Sequence, residues 1–138
     1  MRYLGLDLGT KTLGLALTDK TNTIASPYKT IRFREYDELI KEIKEIVDEK
    51  NVGKFILGYP KNMNNSLGFA VDRTNNFKKV LEANFDLPII LIDERLSTTE
   101  AENILISTET SRMKRKQVID SYAAAIILDT YLKESRDD

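Results

Sequence analysis

The chain has 138 residues, of which 22 are acidic and 21 basic, giving a formal net charge of −1. Its length predicts a single domain, residues 1–138, with a core of its own. The absence of Cys and His excludes disulfides, Cys/His zinc sites and nucleophiles activated by imidazole. An enzyme with this composition would depend on carboxylates, hydroxyls, Lys, Tyr or a hard metal ion bound through oxygen.

The start of the chain does not resemble a targeting segment. Asp7 falls where a signal peptide needs an apolar run, and the longest apolar stretches are far shorter than a membrane span. The expectation is therefore a soluble, cytoplasmic protein that does not bind membranes.

Turn residues and side-chain periodicity predict strands first, then alternating helices and strands. The first three strands are separated by only a few residues, so neighbours should be antiparallel, and Pro27 favours an edge position for the third. The predicted strands are 2–8, 12–18, 24–33, Lys54–Tyr59 and Leu87–Ile92, and the predicted helices are 36–50, 69–84 and 117–133. Ser97–Glu100 has the spacing of a capping box and predicts one more helix, which carries Ala101, Ile104 and Leu105.

This order predicts an α/β fold with a mixed five-stranded sheet flanked by helices. Lys54–Tyr59 and Leu87–Ile92 are continuous apolar runs, as expected of buried parallel strands. Asn62–Ser66 is interpreted as a polar loop, and residues 108–116 as a mobile basic segment.

Three carboxylates stand where solvated acids are not expected. Asp7 ends a strand of Leu and Gly, Glu94 follows the strand Leu87–Ile92, and Asp120 lies on the apolar last helix. If the first strand lies beside Lys54–Tyr59, these acids meet at the carboxyl edge of the sheet, where sites form in open α/β folds. Three converging carboxylates would bind Mg²⁺ or Mn²⁺, and paired ions of this kind support phosphodiester hydrolysis without His.

Each of these acids also has a purely structural interpretation. Asp7 could accept N–H bonds of the turn at Gly9, and Glu94 could pair with Arg95 or favour a helix start. Asp120 could cap the last helix or pair with a nearby Lys. The metal-site hypothesis therefore depends on the joint placement of all three residues.

Four ordered sequence blocks resemble the YqgF family, small proteins described as Holliday-junction-resolvase-like or as nucleases for precursor ribosomal RNA. Together the blocks cover nearly the whole chain. They are Leu4–Lys11 with Leu13–Ala16, Gly58–Gly68, Asp93–Thr98 and Val118–Leu128. The sequence departs from the family pattern at Thr12, where Arg is usual after the Lys, and at Asn64-Asn65, which replaces the commoner Asp-Gly.

The resemblance implies an RNase H-like fold and a metal-dependent carboxylate site. Carried over position by position, the catalytic residues and metal ligands would be Asp7, Glu94 and Asp120, the trio that the sequence pattern had already singled out. The implied cofactor is Mg²⁺ or Mn²⁺.

Basic residues close to these blocks are candidates for substrate binding. Residues 111–117 hold four basic and no acidic side chains just before Asp120, and they could steer a phosphate backbone or simply be solvated. Lys11 and Arg95 each adjoin a carboxylate block. The predicted substrate-binding residues are Lys11, Arg95, Arg112, Lys114, Arg115 and Lys116.

The resulting hypothesis is a metal-dependent endonuclease acting on structured RNA, with precursor 16S ribosomal RNA or ribosome precursor particles as partners. A branched-DNA resolvase has the same chemistry and would ordinarily act as a dimer; the sequence leaves monomer and homodimer open. A non-catalytic RNA-binding assembly factor is the alternative from another class. Asp7–Thr12 also resembles the phosphate loop of actin-like ATPases and sugar kinases, but those proteins need two lobes.

Overall fold

The computed structural model describes residues 1–60, 68–93 and 112–136, with side chains described for 1–60, 70–93 and 121–134. Within these ranges there are five strands and three helices. They are β1 Arg2–Leu8, β2 Thr12–Thr18, β3 Ala25–Arg32, α1 Tyr36–Lys50, β4 Val52–Tyr59, α2 Gly68–Asn84, β5 Ile89–Asp93 and α3 Arg112–Arg136. The predicted loop Asn62–Ser66 and the helix predicted after Ser97 lie outside the described residues.

The strands form one mixed sheet in the order β3-β2-β1-β4-β5. β1 pairs antiparallel with β2, which pairs antiparallel with β3, whereas β4 is parallel to both β1 and β5. The predicted architecture is therefore confirmed, including the edge position of β3, which contains Pro27, and β1 lies beside β4, which meets the condition for convergence of the predicted carboxylates. The carboxyl ends of β1, β4 and β5 consequently lie at one edge of the sheet, termed here the carboxyl edge; the opposite edge is the amino edge.

The alternation of side chains along β1 divides the interior into two layers. On one side, Leu4, Leu6 and Leu8 pack in the same cluster as the buried stripe of α1 and two side chains of α2. The α1 stripe comprises Leu39, Ile40, Ile43 and Ile46, and the α2 residues are Phe77 and Leu81. On the other side, Ile56 and Ile92 of the sheet pack against α3.

Two predicted elements differ from the structure. α3 begins at Arg112 rather than at residue 117, so part of the segment predicted to be mobile is helical. Arg, Lys, Met and Gln all have high helix propensity, and a helix end beyond the core needs no apolar stripe. β5 was predicted to be buried, yet Ile92 is its one buried residue and Leu91 is 39% exposed. An apolar run alone does not distinguish a central strand from an edge strand.

A clamp of two aromatic rings around Lys54 holds the C-terminal half of α3 on the sheet. The ammonium group lies 4.9 Å from the centre of the Tyr3 ring and 5.2 Å from that of Tyr131, and it donates a 2.8 Å hydrogen bond to the Tyr131 hydroxyl. The two rings meet edge to face with centroids 5.8 Å apart. The hydrogen bond to Tyr131 raises the pKa of Lys54, because it favours the charged ammonium group.

Lys54→Met is expected to lower the free energy of unfolding by about 1–2 kcal/mol, because it removes the cation–π contacts and the hydrogen bond together. Tyr131→Phe is the matched control, since it removes the hydroxyl and keeps the ring; a smaller loss is expected. Urea unfolding at neutral pH measures both variants. Equal stability of Lys54→Met and wild type would contradict a stabilising role for the clamp.

The turn between β2 and β3 is organised by the Asp19 carboxylate. The amides of Thr23 and Ile24 donate to it at 2.7 and 2.9 Å, and the Thr21 hydroxyl donates to its other oxygen. Asn22 adopts the left-handed conformation, with φ of 56°, that closes the turn. The hydrogen bonds from Ile24, Thr21 and Thr23 hold the pKa of the Asp19 carboxyl well below its usual range.

Asp19→Ala is expected to lower the melting temperature at neutral pH. Because the pKa of Asp19 is lower in the folded state, its contribution is complete above the unfolded pKa, about 3.9, and is lost as pH falls toward the folded value. The difference in melting temperature between variant and wild type should therefore be constant from neutral pH down to about pH 5 and shrink below about pH 4. Thermal unfolding across this range checks the sign; a difference that grows in acid would contradict it.

Candidate active site

Asp7 is a nearly buried carboxylate at the carboxyl end of the central strand. It lies one residue before the end of β1, pairs with Gly14 of β2, and is 8% exposed. Gly5, two residues earlier, faces α3, so alternation places Asp7 on the α3 side of the sheet. A carboxylate with so little exposure requires hydrogen bonds or a cation to compensate for lost hydration.

Glycines surround Asp7 on this face of the sheet. Gly5 precedes it by two residues, Gly9 follows it by two, and Gly14 lies opposite on β2. A glycine within a strand often marks a place where a ligand or another backbone approaches closely. At Gly5 that backbone is α3, since a Cβ built there would lie 2.8 Å from the carbonyl oxygen of Ala124.

The direction of α3 brings position 120 toward Asp7. Tyr131 contacts Tyr3, whereas Ala124 contacts Gly5, so α3 runs antiparallel to β1. Asp120 lies one turn before Ala124, which is about 6 Å along the helix axis. Asp7 lies two residues after Gly5, which is about 6.6 Å along the strand in the same direction. Position 120 of the helix backbone is thus at the level of Asp7, on the same side of the sheet.

The third predicted carboxylate cannot be placed in the same way. β5 ends at Asp93, which pairs with Tyr59 at the carboxyl edge. Glu94 and Arg95 follow directly in the chain but lie outside the described residues. Among the described side chains, no group of three or more acidic residues could hold a metal ion. Two of the three predicted ligands, Glu94 and the side chain of Asp120, fall outside that set, and the trio stays a prediction.

The predicted basic residues are arranged around the same edge as far as the structure describes them. Lys11 is exposed in the turn between β1 and β2, and its carbonyl oxygen accepts a 3.0 Å hydrogen bond from the amide of Phe33. Arg112, Lys114, Arg115 and Lys116 occupy the first turns of the α3 backbone. Because α3 runs antiparallel to β1, this end of the helix points beyond the carboxyl edge.

One cation near Asp7 was missed by the sequence reasoning. Arg32 is exposed at the end of β3 and pairs with Thr12 of β2. The pattern that could have revealed it is the charge of residues 20–34, which hold four basic and no acidic side chains.

Within the part of the chain that the structure describes, no helix is long and apolar enough to span a bilayer.

The chain is similar to known proteins over nearly its whole length. Residues 1–134 match the model of the RuvX family, described as Holliday junction resolvase. A protein of Geobacillus sp. (strain WCH70) is 49% identical over 134 residues, covering 96% of this chain and 97% of the relative. A protein of Bacillus subtilis (strain 168) is 46% identical with the same coverage. Both carry the name "Putative pre-16S rRNA nuclease".

Two solved structures share the fold at low sequence identity. T. thermophilus RuvC in complex with a Holliday junction substrate has a TM-score of 0.59 at 15% identity, covering 99% of this chain and 96% of that one. Fowlpox virus resolvase in complex with substrate Holliday junction DNA has a TM-score of 0.56 at 13% identity, with coverage of 98% and 99%. These similarities confirm the RNase H-like fold. The match over residues 1–134, together with the identity to the Geobacillus and Bacillus relatives, shows that the chain belongs to the RuvX family, described as Holliday junction resolvase.

Proposed function

We propose that the chain is a metal-dependent endonuclease that hydrolyses phosphodiester bonds in structured RNA during maturation of precursor 16S ribosomal RNA. The observation that carries the proposal is the nearly buried Asp7 carboxylate at the carboxyl end of the central strand, on the side facing α3. Its enzyme class, a phosphodiester-cleaving nuclease, follows from the family. The RNA substrate is suggested by the names of the curated relatives.

The donor chemistry around Asp7 fits a hard divalent cation. Carboxylate oxygens are the ligands that Mg²⁺ and Mn²⁺ prefer, and the chain has no Cys or His to select a softer metal. Asp7, Glu94 and Asp120 are the residues proposed to hold the metal. When bound, such ions provide a nucleophile at neutral pH and neutralise the charge that develops on the phosphate.

Basic residues of the chain would bind the substrate so that the bond to be cleaved lies at this site. The first turns of α3 and the turn containing Lys11 both lie at the carboxyl edge, where cationic side chains can bind phosphates on either side of the cleaved bond. The packing of α3 on Gly5 fixes the level of position 120 relative to Asp7. This rigid placement is what a metal site needs, because ligands must be held within a fraction of an ångström.

A second candidate, favoured by the description of the family model, is resolution of branched DNA. It uses the same carboxylates and differs in substrate and in the need for two coordinated cuts. A non-catalytic RNA-binding role in ribosome assembly would leave the carboxylates without a chemical task, and binding would then survive both EDTA and Asp7→Asn.

The decisive experiment incubates the purified protein with precursor 16S ribosomal RNA, a four-way DNA junction and single strands of each. Each substrate is tested with Mg²⁺, Mn²⁺ or EDTA, and Asp7→Asn purified in parallel controls for contaminating nucleases. Cleavage of the precursor RNA that requires metal and is lost in the variant supports the proposal. Metal-dependent cleavage of the junction alone would replace RNA with branched DNA as substrate. Binding without cleavage under every condition would overturn the enzymatic role.

A further inference from the structure

The outermost strand β3 carries a run of charge of one sign. Residues 20–34, which comprise the β2–β3 turn, β3 and the start of the connection to α1, contain four basic and no acidic side chains. All four are exposed. These residues, termed here the β3 basic edge, are Lys20, Lys29, Arg32 and Arg34.

The β3 basic edge runs along the outermost strand. It starts at the amino edge, where β1 and β4 also begin, and it ends beside the candidate active site. The pairing register aligns Asp7 with Gly14, and Gly14 with Thr30, in one row across three strands. Neighbouring strands are about 4.8 Å apart, so the backbone of Thr30 is roughly 10 Å from that of Asp7. Arg32 lies two residues further toward the carboxyl edge and on the same face as Asp7.

The four cations are not neutralised within the described part of the chain, where none of them forms an ion pair. The nearest acids in sequence, Asp19 and Glu35, flank the run at either end. The Asp19 carboxylate is already occupied by the hydrogen bonds of its own turn. Lys29 and Arg32 lie within β3, Lys20 precedes it and Arg34 follows it, so a polyanion following β3 would meet positive charge before the strand, in its second half and just after it.

The amino end of the β3 basic edge broadens into further positive charge. An open cavity of about 430 Å³ there is lined by Met1, Arg2, Lys20, Glu49, Lys50 and Asn51. Three of these side chains are cationic and one is acidic, with Glu49 3.8 Å from Lys50. The ammonium groups of Lys29 and Lys50 each lie 5.8 Å from the centre of the half-buried Tyr28 ring. The two ammonium groups are thus held together beside a ring that itself packs against the core.

Protection of an exposed sheet edge is the competing explanation, because charged side chains on edge strands prevent edge-to-edge aggregation. Lys and Pro are usual in that task, which therefore explains Lys29 and Pro27. It does not explain why the run continues through Arg32 and Arg34 toward the candidate active site.

We propose that the β3 basic edge binds the phosphodiester backbone of the RNA that flanks the cleaved bond and guides it toward Asp7. The identity of the substrate as RNA rests on the proposed function; binding of a phosphate backbone does not. β3 is roughly 26 Å long, comparable to eight base pairs at about 3.4 Å each, so several phosphates can be contacted at once.

The test compares two double variants that remove the same charge. Lys29→Gln/Arg32→Gln alters the β3 basic edge, whereas Lys41→Gln/Lys44→Gln alters an exposed pair on α1 beside a different cavity. The dissociation constant for a structured RNA, and for DNA of the same sequence, is measured in EDTA over a range of salt concentrations. Binding is thereby recorded without cleavage.

The edge variant is expected to bind RNA on the order of tenfold more weakly at about 0.1 M salt, with the slope of log K against log salt reduced by about 2. The α1 variant should bind like wild type. Arg32→Lys, which keeps the charge, should keep most of the affinity. Thermal unfolding should be the same for all variants, since the altered side chains are exposed.

Equal losses in both double variants, or no loss in either, would overturn the proposal, and a loss confined to DNA would overturn the assignment to RNA. These outcomes are separable from failure of the proposed function. If no RNA is cleaved with any metal but the edge variant still binds RNA more weakly, the binding role of the β3 basic edge is supported and the proposed nuclease activity is contradicted. If the edge variant binds and cleaves RNA as the α1 variant does, the nuclease activity is supported and the binding role of the β3 basic edge is contradicted.

Discussion

Asp7→Asn is expected to reduce metal-dependent cleavage of RNA by about 10³-fold or more, because a metal ion contributes several kcal/mol to stabilising the transition state. The amide has the size of the carboxylate but lacks its charge, so it is a much poorer ligand for a hard cation. The free energy of unfolding should stay within about 1 kcal/mol of wild type, since the packing around position 7 is preserved. Single-turnover cleavage assays and urea unfolding measure the two effects separately.

Asp48→Asn is the matched control for this substitution. Asp48 is exposed near the end of α1, which leads into the start of β4 at the amino edge, far from Asp7. It removes the same charge and should leave cleavage unchanged. Direct titration with Mn²⁺ provides a readout that does not depend on activity, and binding should be weakened by Asp7→Asn alone. If the Asp7 variant cleaves as fast as the Asp48 variant, Asp7 is not a catalytic residue.

The position of Asp7 could be predicted from the sequence because local rules determine it. β1 and β2 have the predicted bounds, since Gly9-Thr10 interrupts two clear β patterns. The parallel pairing of β4 with β5 follows from the β-α-β order, whereas the pairing of β1 with β4 entered the sequence argument as a condition that the structure meets. These elements suffice to place Asp7 at the carboxyl edge.

The relation of position 120 to Asp7 could not be obtained in the same way. α3 is apolar around much of its circumference, so its pattern does not define a unique buried face or a crossing direction. Both become visible only through contacts distant in sequence, such as Gly5 with Ala124 and Tyr3 with Tyr131.

The basic residues show a similar contrast. Arg112, Lys114, Arg115 and Lys116 stand out because they lie within five residues. Lys20, Lys29, Arg32 and Arg34 are spread over fifteen, with a density of charge too low to attract notice. They come together along one border of the sheet only because β3 is its outermost strand.

Gly5→Ala is expected to lower the free energy of unfolding by about 1–3 kcal/mol, the usual cost of overpacking. A Cβ at this position would lie 2.8 Å from the carbonyl oxygen of Ala124 and 3.0 Å from the Cβ of Leu128. The first contact is helix backbone, and Leu128 is fully buried, so neither can move aside without shifting α3. For a chain of this length the loss corresponds to a fall of roughly 3–10 °C in melting temperature.

The same shift should reach the candidate active site, because α3 carries position 120. A displacement of about 1 Å can cost on the order of 10²-fold in rate, so cleavage should fall by about tenfold to a hundredfold at a temperature where the variant is fully folded. Gly53→Ala is the matched control. Its Cβ would also be crowded, at 2.7 Å from the Cβ of Met1, but Met1 precedes β1 and is 69% exposed, so its backbone and side chain can shift together without disturbing the sheet or α3.

Gly53→Ala should therefore retain near-wild-type stability and activity although its nearest contact is slightly shorter. Differential scanning calorimetry and cleavage assays on both variants separate a crowded contact with buried helix backbone from one with an exposed residue outside the strands. Equal stability of the two variants would show that α3 can retreat from β1 at little cost. Loss of stability at Gly5 without loss of cleavage would show that the position of α3 does not control the geometry of the site, and would argue against a catalytic role for Asp120.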